Sequence, residues 1–134
     1  MEKKSFKPNL EAVKKIQDFV EEKLGLEKTD TKKLFKINLL IEEIVVNIVN
    51  YAFKGKKEGN IDIEVHRSID NISLKISDNG LPFNPLKVKD PDTKALLANR
   101  NPGGLGIFFV KQIAKEFEYT YKNRKNCISL TIEP

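Results

Sequence analysis

Three groups of residues in this chain have types and spacings that can do chemistry. The first is Glu43, Asn47 and Asn50. On a helix that advances about 100° per residue, they fall within about 60° of one another. Glu43 and Asn47 stand at i and i+4, so both side chains reach one point beside the helix. A carboxylate and a carboxamide there suit a hard cation such as Mg²⁺, which takes oxygen ligands and keeps waters. The carboxylate could also accept a proton from a hydroxyl nucleophile. The plainer alternative is a narrow solvated stripe on an amphipathic helix.

The second group is Ser77-Asp78-Asn79-Gly80-Leu81-Pro82-Phe83. A carboxylate ending an apolar strand points into whatever cleft lies beyond the sheet. It can accept a hydrogen bond from an exocyclic amine such as that of adenine. Gly80 would let a flat ring approach the backbone with no Cβ in the way. An ordinary Asp-Asn-Gly turn is the alternative. The third group is Gly103-Gly104-Leu105-Gly106 at the start of a helix. Glycines there free backbone N–H groups to face an anion, with the helix dipole in support. No GxxxxGK[ST] occurs, and no strand leads directly into a GxGxxG. A flexible lid hinge would also use such glycines.

These groups need elements to hold them. Leu10, Val13, Ile16, Val20 and Leu24 recur at helical spacing over residues 9–24, and Gly25 is a stop signal. Thr29, Asp30 or Thr31 can cap a second helix that runs to about Phe53. That helix is apolar nearly all round, so the spacing predicts that it is mostly buried. Ile61, Ile63 and Val65, then Ile72, Leu74 and Ile76, alternate with polar residues around a turn at Ser68 to Asn71. This predicts an antiparallel hairpin. Residues 81–102 hold Pro82, Pro85, Pro91 and Pro102, which predicts a long loop with one helical turn around Thr93 to Ala98. A third helix follows from Gly103 towards Phe117. A second hairpin then runs through Phe117, Tyr119 and Tyr121, a turn at Asn123 to Asn126, and Ile128, Leu130 and Ile132. Four strands with helices on one face make an α+β two-layer sandwich, its sheet mixed but mostly antiparallel.

Composition narrows the function classes. A length of 134 residues fits one domain, 1–134, and 40% hydrophobic with 32% charged residues is that of a folded chain. One Cys and one His leave no disulfide framework and no Cys/His metal cluster. A reducing cytoplasm suits this usage, and no secretory signal is visible in MEKKSFKPNL. No apolar run approaches the roughly 20 residues of a membrane span. The net charge is +5, but the lysines are interspersed with acids and the aromatics do not interleave with them as a base-stacking platform requires. Nucleic acid is therefore not an expected partner. His66 reads as an outward strand position and Cys127 as lying on the face opposite Ile128.

The order of the three groups says more than any one of them. Helical Glu and Asn come first, then a strand ending in Asp-x-Gly, a Pro-rich loop, and Gly-x-Gly before a helix. Each has a separate task at one nucleotide. Glu43-Ile-Val-Val-Asn47-Ile-Val-Asn50, Asp78-Asn79-Gly80-Leu81-Pro82-Phe83 and Gly103-Gly104-Leu105-Gly106 resemble the three nucleotide boxes of the GHKL (Bergerat-fold) ATPases. The Asp-x-Gly-x-Pro-Phe form is similar to that of the anti-sigma factor serine/threonine kinases. The resemblance covers nearly the whole chain.

That resemblance implies an ATP-binding protein kinase that phosphorylates a small anti-sigma-factor antagonist and sequesters a sigma factor. Asn47 would ligate Mg²⁺, and Glu43 would be the general base. Asp78 would bond the adenine amine, with Gly80 giving the ring room. Asn50 would lie with the nucleotide, while Gly104, Leu105 and Gly106 would hold phosphates and Arg100 would reach the terminal one. A homodimer is also implied. The main alternative is a nucleotide-gated binding module of the same fold with little or no catalysis.

Overall fold

The computed structural model describes residues 2–25, 30–54, 56, 58–87 and 102–133. Its elements are β1 (Glu2–Phe6), α1 (Ala12–Leu24), α2 (Thr31–Asn47), a π-helical turn (Ile48–Ala52), β2 (Ile61–Arg67), β3 (Ile72–Asp78), a 3-10 turn (Pro85–Lys87), α3 (Pro102–Ile113), β4 (Glu116–Lys122) and β5 (Lys125–Ile132). The strands form one sheet of order β1-β2-β3-β5-β4. Every neighbouring pair is antiparallel. The architecture is the α+β sandwich the sequence implies, with five strands where the alternation showed four, and with no parallel pair.

β1 escapes the alternation because EKKSF has one apolar residue. Phe6 anchors it by packing edge-on against Phe19 of α1, with ring centroids 5.9 Å apart. Its charged residues suit an edge strand, since they discourage further pairing. In α1 the buried residues are Ala12, Ile16, Phe19, Val20 and Leu24. Leu10 lies before the helix and is exposed. Gly25 ends α1 in the left-handed region at φ 59°, a conformation a Cβ would oppose.

Period-2 alternation decides the core. Ile61, Ile63 and Val65 of β2, Ile72, Leu74 and Ile76 of β3, and Ile128, Leu130 and Ile132 of β5 are all buried on one face. The opposite positions, such as Glu64, Lys75 and Ser129, are polar and remain at least partly open. α2 presses Ile37, Leu40, Ile41, Ile44 and Val45 into this core and packs between α1 and α3. Burial of each such side chain contributes roughly 1.5–3 kcal/mol. α3 ends at Ile113, so Phe117 belongs to β4. The second hairpin turns on two residues, Asn123 and Arg124, with φ of 54° and 61°. Lys125 and Asn126, expected in the turn, are therefore strand residues. Asn126 pairs directly opposite Asp78.

Candidate nucleotide site

Among the described residues, the buried polar side chains are Asn47, Asp78 and Asn126. Buried polar groups cost free energy unless partnered, so the partners of each of the three are informative. α2 positions the first of them. Asn47 Nδ2 donates to the Glu43 carbonyl oxygen at 2.6 Å. That bond uses the donor side of the amide and leaves its oxygen as the atom suited to a cation. Glu43 is half-buried on the same face, one turn earlier. Burial, and secondarily the adjacent Glu42, raise its carboxyl above the ordinary value.

Glu43 also touches the third sequence group. A Cβ built on Gly106 would collide with Glu43 Oε2 and Cδ and would lie 2.9 Å from its Cγ. The glycine is thus required so that the carboxylate can lie against α3. The glycines open a helix, as expected, and that helix begins one residue earlier, at Pro102. The N–H groups of a helical first turn have no acceptor within the helix, so those of Gly103 and Gly104, after the donorless Pro102, are open to an anion. Gly106 lies one turn in, and its part is to make room for Glu43.

The second group sits beyond the C-terminal end of α2, against the π turn that follows it. Asp78 ends β3 and is 2% exposed. Its Oδ1 accepts from Gly80 N and from Asn126 Nδ2, both at 2.9 Å. Its Oδ2 is buried with no hydrogen-bond partner. Burial raises the Asp78 carboxyl, against the lowering effect of the bonds from Asn126 and Gly80. The bare oxygen is an acceptor without a donor, which fits an amino group such as that of adenine. Gly80 has a packing role in the structure. A Cβ there would meet Ala52 O at 2.7 Å and Ala52 Cβ at 2.9 Å, so this glycine allows the loop to dock on α2's end. Leu81 N completes that docking with a 2.7 Å bond to Ala52 O.

α2 therefore acts as a ruler. Ala52 meets the Asp78 loop and Glu43 meets α3, nine residues apart, or about 13 Å at ~1.5 Å per residue. The π turn at Ile48–Ala52 lies between the two contacts. A π turn advances fewer degrees per residue than an α turn, so the helical-wheel position of Asn50 does not carry over. Asn50 is exposed. Phe83 stacks on Tyr51 of this turn, with ring centroids 5.0 Å apart. Arg100 and the expected helical turn at Thr93 to Ala98 lie outside the described residues.

The sequence reading missed Asn126 and Tyr119, whose hydroxyl donates to Asn126 Oδ1. A signal was present. Asn126 has the same parity as Ile128, Leu130 and Ile132, which puts it on the buried face. His66 is exposed on β2 and Cys127 half-buried on the outer face, as expected. No group of three or more His, Cys, Asp or Glu that could hold a metal occurs among the described residues. No described helix is long and apolar enough to cross a membrane.

An α+β sandwich thus carries an orphaned acceptor on a strand end, a helical Glu and Asn, and a glycine-bearing helix start. Residues 6–132 match the histidine kinase-like ATPase domain, and the chain belongs to that family. It is 27% identical over 90 residues to the serine-protein kinase RsbW of Listeria innocua, covering 63% of this chain and 57% of that protein. It is 27% identical over 97 residues to the serine/threonine-protein kinase BtrW of Bordetella bronchiseptica, covering 72% and 68%. The match thus spans less than two thirds of the RsbW length. In fold it is similar to the nucleotide-free catalytic domain of histidine kinase ThkA, with TM-score 0.51 and 16% identity over 99% of this chain and 97% of that one.

Proposed function

We propose that the protein is an ATP-dependent serine/threonine kinase of the anti-sigma type. It phosphorylates a small antagonist protein on a hydroxyl and holds a sigma factor in the alternate state. The observation that carries this reading is the seating of Glu43 on Gly106, which sets a carboxylate beside a helix start suited to phosphates. The names of the two kinase relatives support the activity.

Each residue has a task. Asp78 Oδ2 accepts from the adenine amine. The N–H groups at the start of α3, around Gly104, bind phosphate oxygens, and Arg100 serves the terminal one. The Asn47 carboxamide oxygen would hold Mg²⁺, which would supply neutralisation of phosphate charge. Glu43 takes the proton of the attacking hydroxyl. Phosphoryl transfer depends mainly on positioning and charge, so the α2 ruler contributes as much as any one group. Phosphorylation then changes the antagonist's surface charge and with it the choice of partner. The protein works as a cytoplasmic homodimer.

The test is transfer of labelled phosphate from ATP to the antagonist that copurifies with the chain. Wild type labels it on Ser or Thr. Glu43→Gln loses transfer and keeps ATP affinity. ATP binding with no transfer by the wild type would instead make this a nucleotide-gated binding module.

A further inference from the structure

The polar cluster at the base of the site has a centre that the nucleotide assignment leaves without a task. Asn126 is 1% exposed. Its Nδ2 donates to Asp78 Oδ1 at 2.9 Å and to Leu81 O at 2.8 Å. Its Oδ1 accepts from Phe83 N at 3.0 Å and from the Tyr119 hydroxyl. A carboxamide offers two donor hydrogens and two acceptor lone pairs, and here all four are used. No other side chain of this size matches the pattern. Aspartate lacks both donors and would set a second carboxylate against Asp78. Serine or threonine can fill at most three of the four positions, from a shorter reach.

The partners tie three segments together. Tyr119 is on β4, Asn126 on β5, and Asp78, Leu81 and Phe83 run from the end of β3 into the following loop. Asp78 Oδ1 is held by Asn126 on one side and by Gly80 on the other, so the carboxylate cannot turn about its Cβ–Cγ bond without breaking both bonds. Oδ2 is thereby fixed as the bare acceptor. A group satisfied at every position in a low-dielectric setting is rigid, because each alternative orientation leaves a buried group unpaired.

We infer that Asn126 is the positioning residue for base recognition: it locks Asp78 with one oxygen presented to the base and pins the root of the loop at Leu81 and Phe83, with Tyr119 as its own support. This rests on the nucleotide reading above. Asn126 need not touch the nucleotide; it acts through Asp78.

Two measurements on the full chain separate this role from a structural one. The first is the ratio of dissociation constants for ATP and inosine triphosphate, which lacks the amino group. Wild type prefers ATP by about tenfold or more, the scale of a hydrogen bond to a charged group. Asn126→Ala reduces the preference to the level of Asp78→Asn, and the double variant goes no lower. An unchanged ratio in Asn126→Ala, or independent effects in the double variant, overturns the inference. The second is the pH titration of the Asp78 carboxyl carbon by NMR without nucleotide. Loss of the Asn126 donor moves the midpoint upward, and an unmoved midpoint overturns the lock. Should Asn126→Ala fail to fold, Tyr119→Phe removes one bond from the amide and shifts both readouts the same way by a smaller amount. An intact ratio in Asp78→Asn, with a moved midpoint in Asn126→Ala, would retain the lock and reject the base assignment.

Discussion

The two ends of the site are built differently. At the base end, backbone ladders do the positioning. Asp78 and Asn126 face each other because β3 and β5 are in register, and a one-residue slip of either strand would turn its own residue to the solvent face. At the phosphate end no ladder is involved. Glu43 and Gly106 meet because two helices pack, and their separation is set by a missing Cβ. The strand end selects by hydrogen-bond pattern and tolerates little change in geometry. The helix end brings charge close to charge and depends on one small residue. On the proposed reading, recognition and chemistry fall to different kinds of structure, joined by α2 and the turn that follows it.

Substitutions at the helix end give the largest changes in rate. Glu43→Gln should lower phosphoryl transfer about 10²- to 10⁴-fold in a labelled-ATP assay, with ATP affinity nearly unchanged. Gly106→Ala should have a similar effect without altering any charge, because its methyl displaces the Glu43 carboxylate. Full activity in Gly106→Ala would remove the contact from the mechanism. The raised Glu43 carboxyl adds a pH signature. A base works when deprotonated, so transfer should fall as pH drops through a midpoint above the usual glutamate range, and Glu43→Gln should abolish that limb.

Substitutions at the strand end act on affinity and stability. Asp78→Asn should weaken ATP binding roughly 10- to 100-fold by titration calorimetry. It should also stabilise the nucleotide-free protein. The Asp78 carboxyl is raised in the folded state, so its favourable contribution is complete below the unfolded value and is lost as pH rises through the folded one. At neutral pH the charged, half-partnered group is a cost, and removing it should add about 1 kcal/mol, or roughly 4 °C in Tm. A site that binds better than it folds is the pattern expected here. Gly80→Ala should lower stability by about 1–3 kcal/mol, since the atoms it meets at Ala52 include backbone that cannot step aside. His66→Ala, exposed on the outer face, should change stability by less than about 0.5 kcal/mol.

The same contrast explains what could be read in the sequence. Ile61 to Val65 and Ile72 to Ile76 announced their strands because alternate residues must avoid water. Gly25 announced a helix end. β1 did not show, because a charged edge strand has no apolar period and is defined by its pairing with β2. Glu43, Asn47 and Asp78 were legible as chemistry, since polar residues stand out in apolar surroundings. Asn126 was hidden by Asn123-Arg124-Lys125, a run that reads as turn for its whole length although the turn takes two residues. The place of Asn50 depended on a regular helix, and the π turn after Asn47 is a tertiary adjustment that spacing does not reveal. The task of Gly80 could not be told from its type, because a flat ligand and a close helix end require the same missing methyl group.

A crystal structure of the protein with Mg²⁺ and a non-hydrolysable ATP analogue tests the central claim most directly. The account predicts the purine amino group within 3.2 Å of Asp78 Oδ2, a distance set by hydrogen-bond geometry at about 2.7–3.2 Å. It also predicts the phosphates at the first turn of α3 and the metal on Asn47. A nucleotide bound elsewhere, or in this cleft with its amino group away from Asp78, would contradict it.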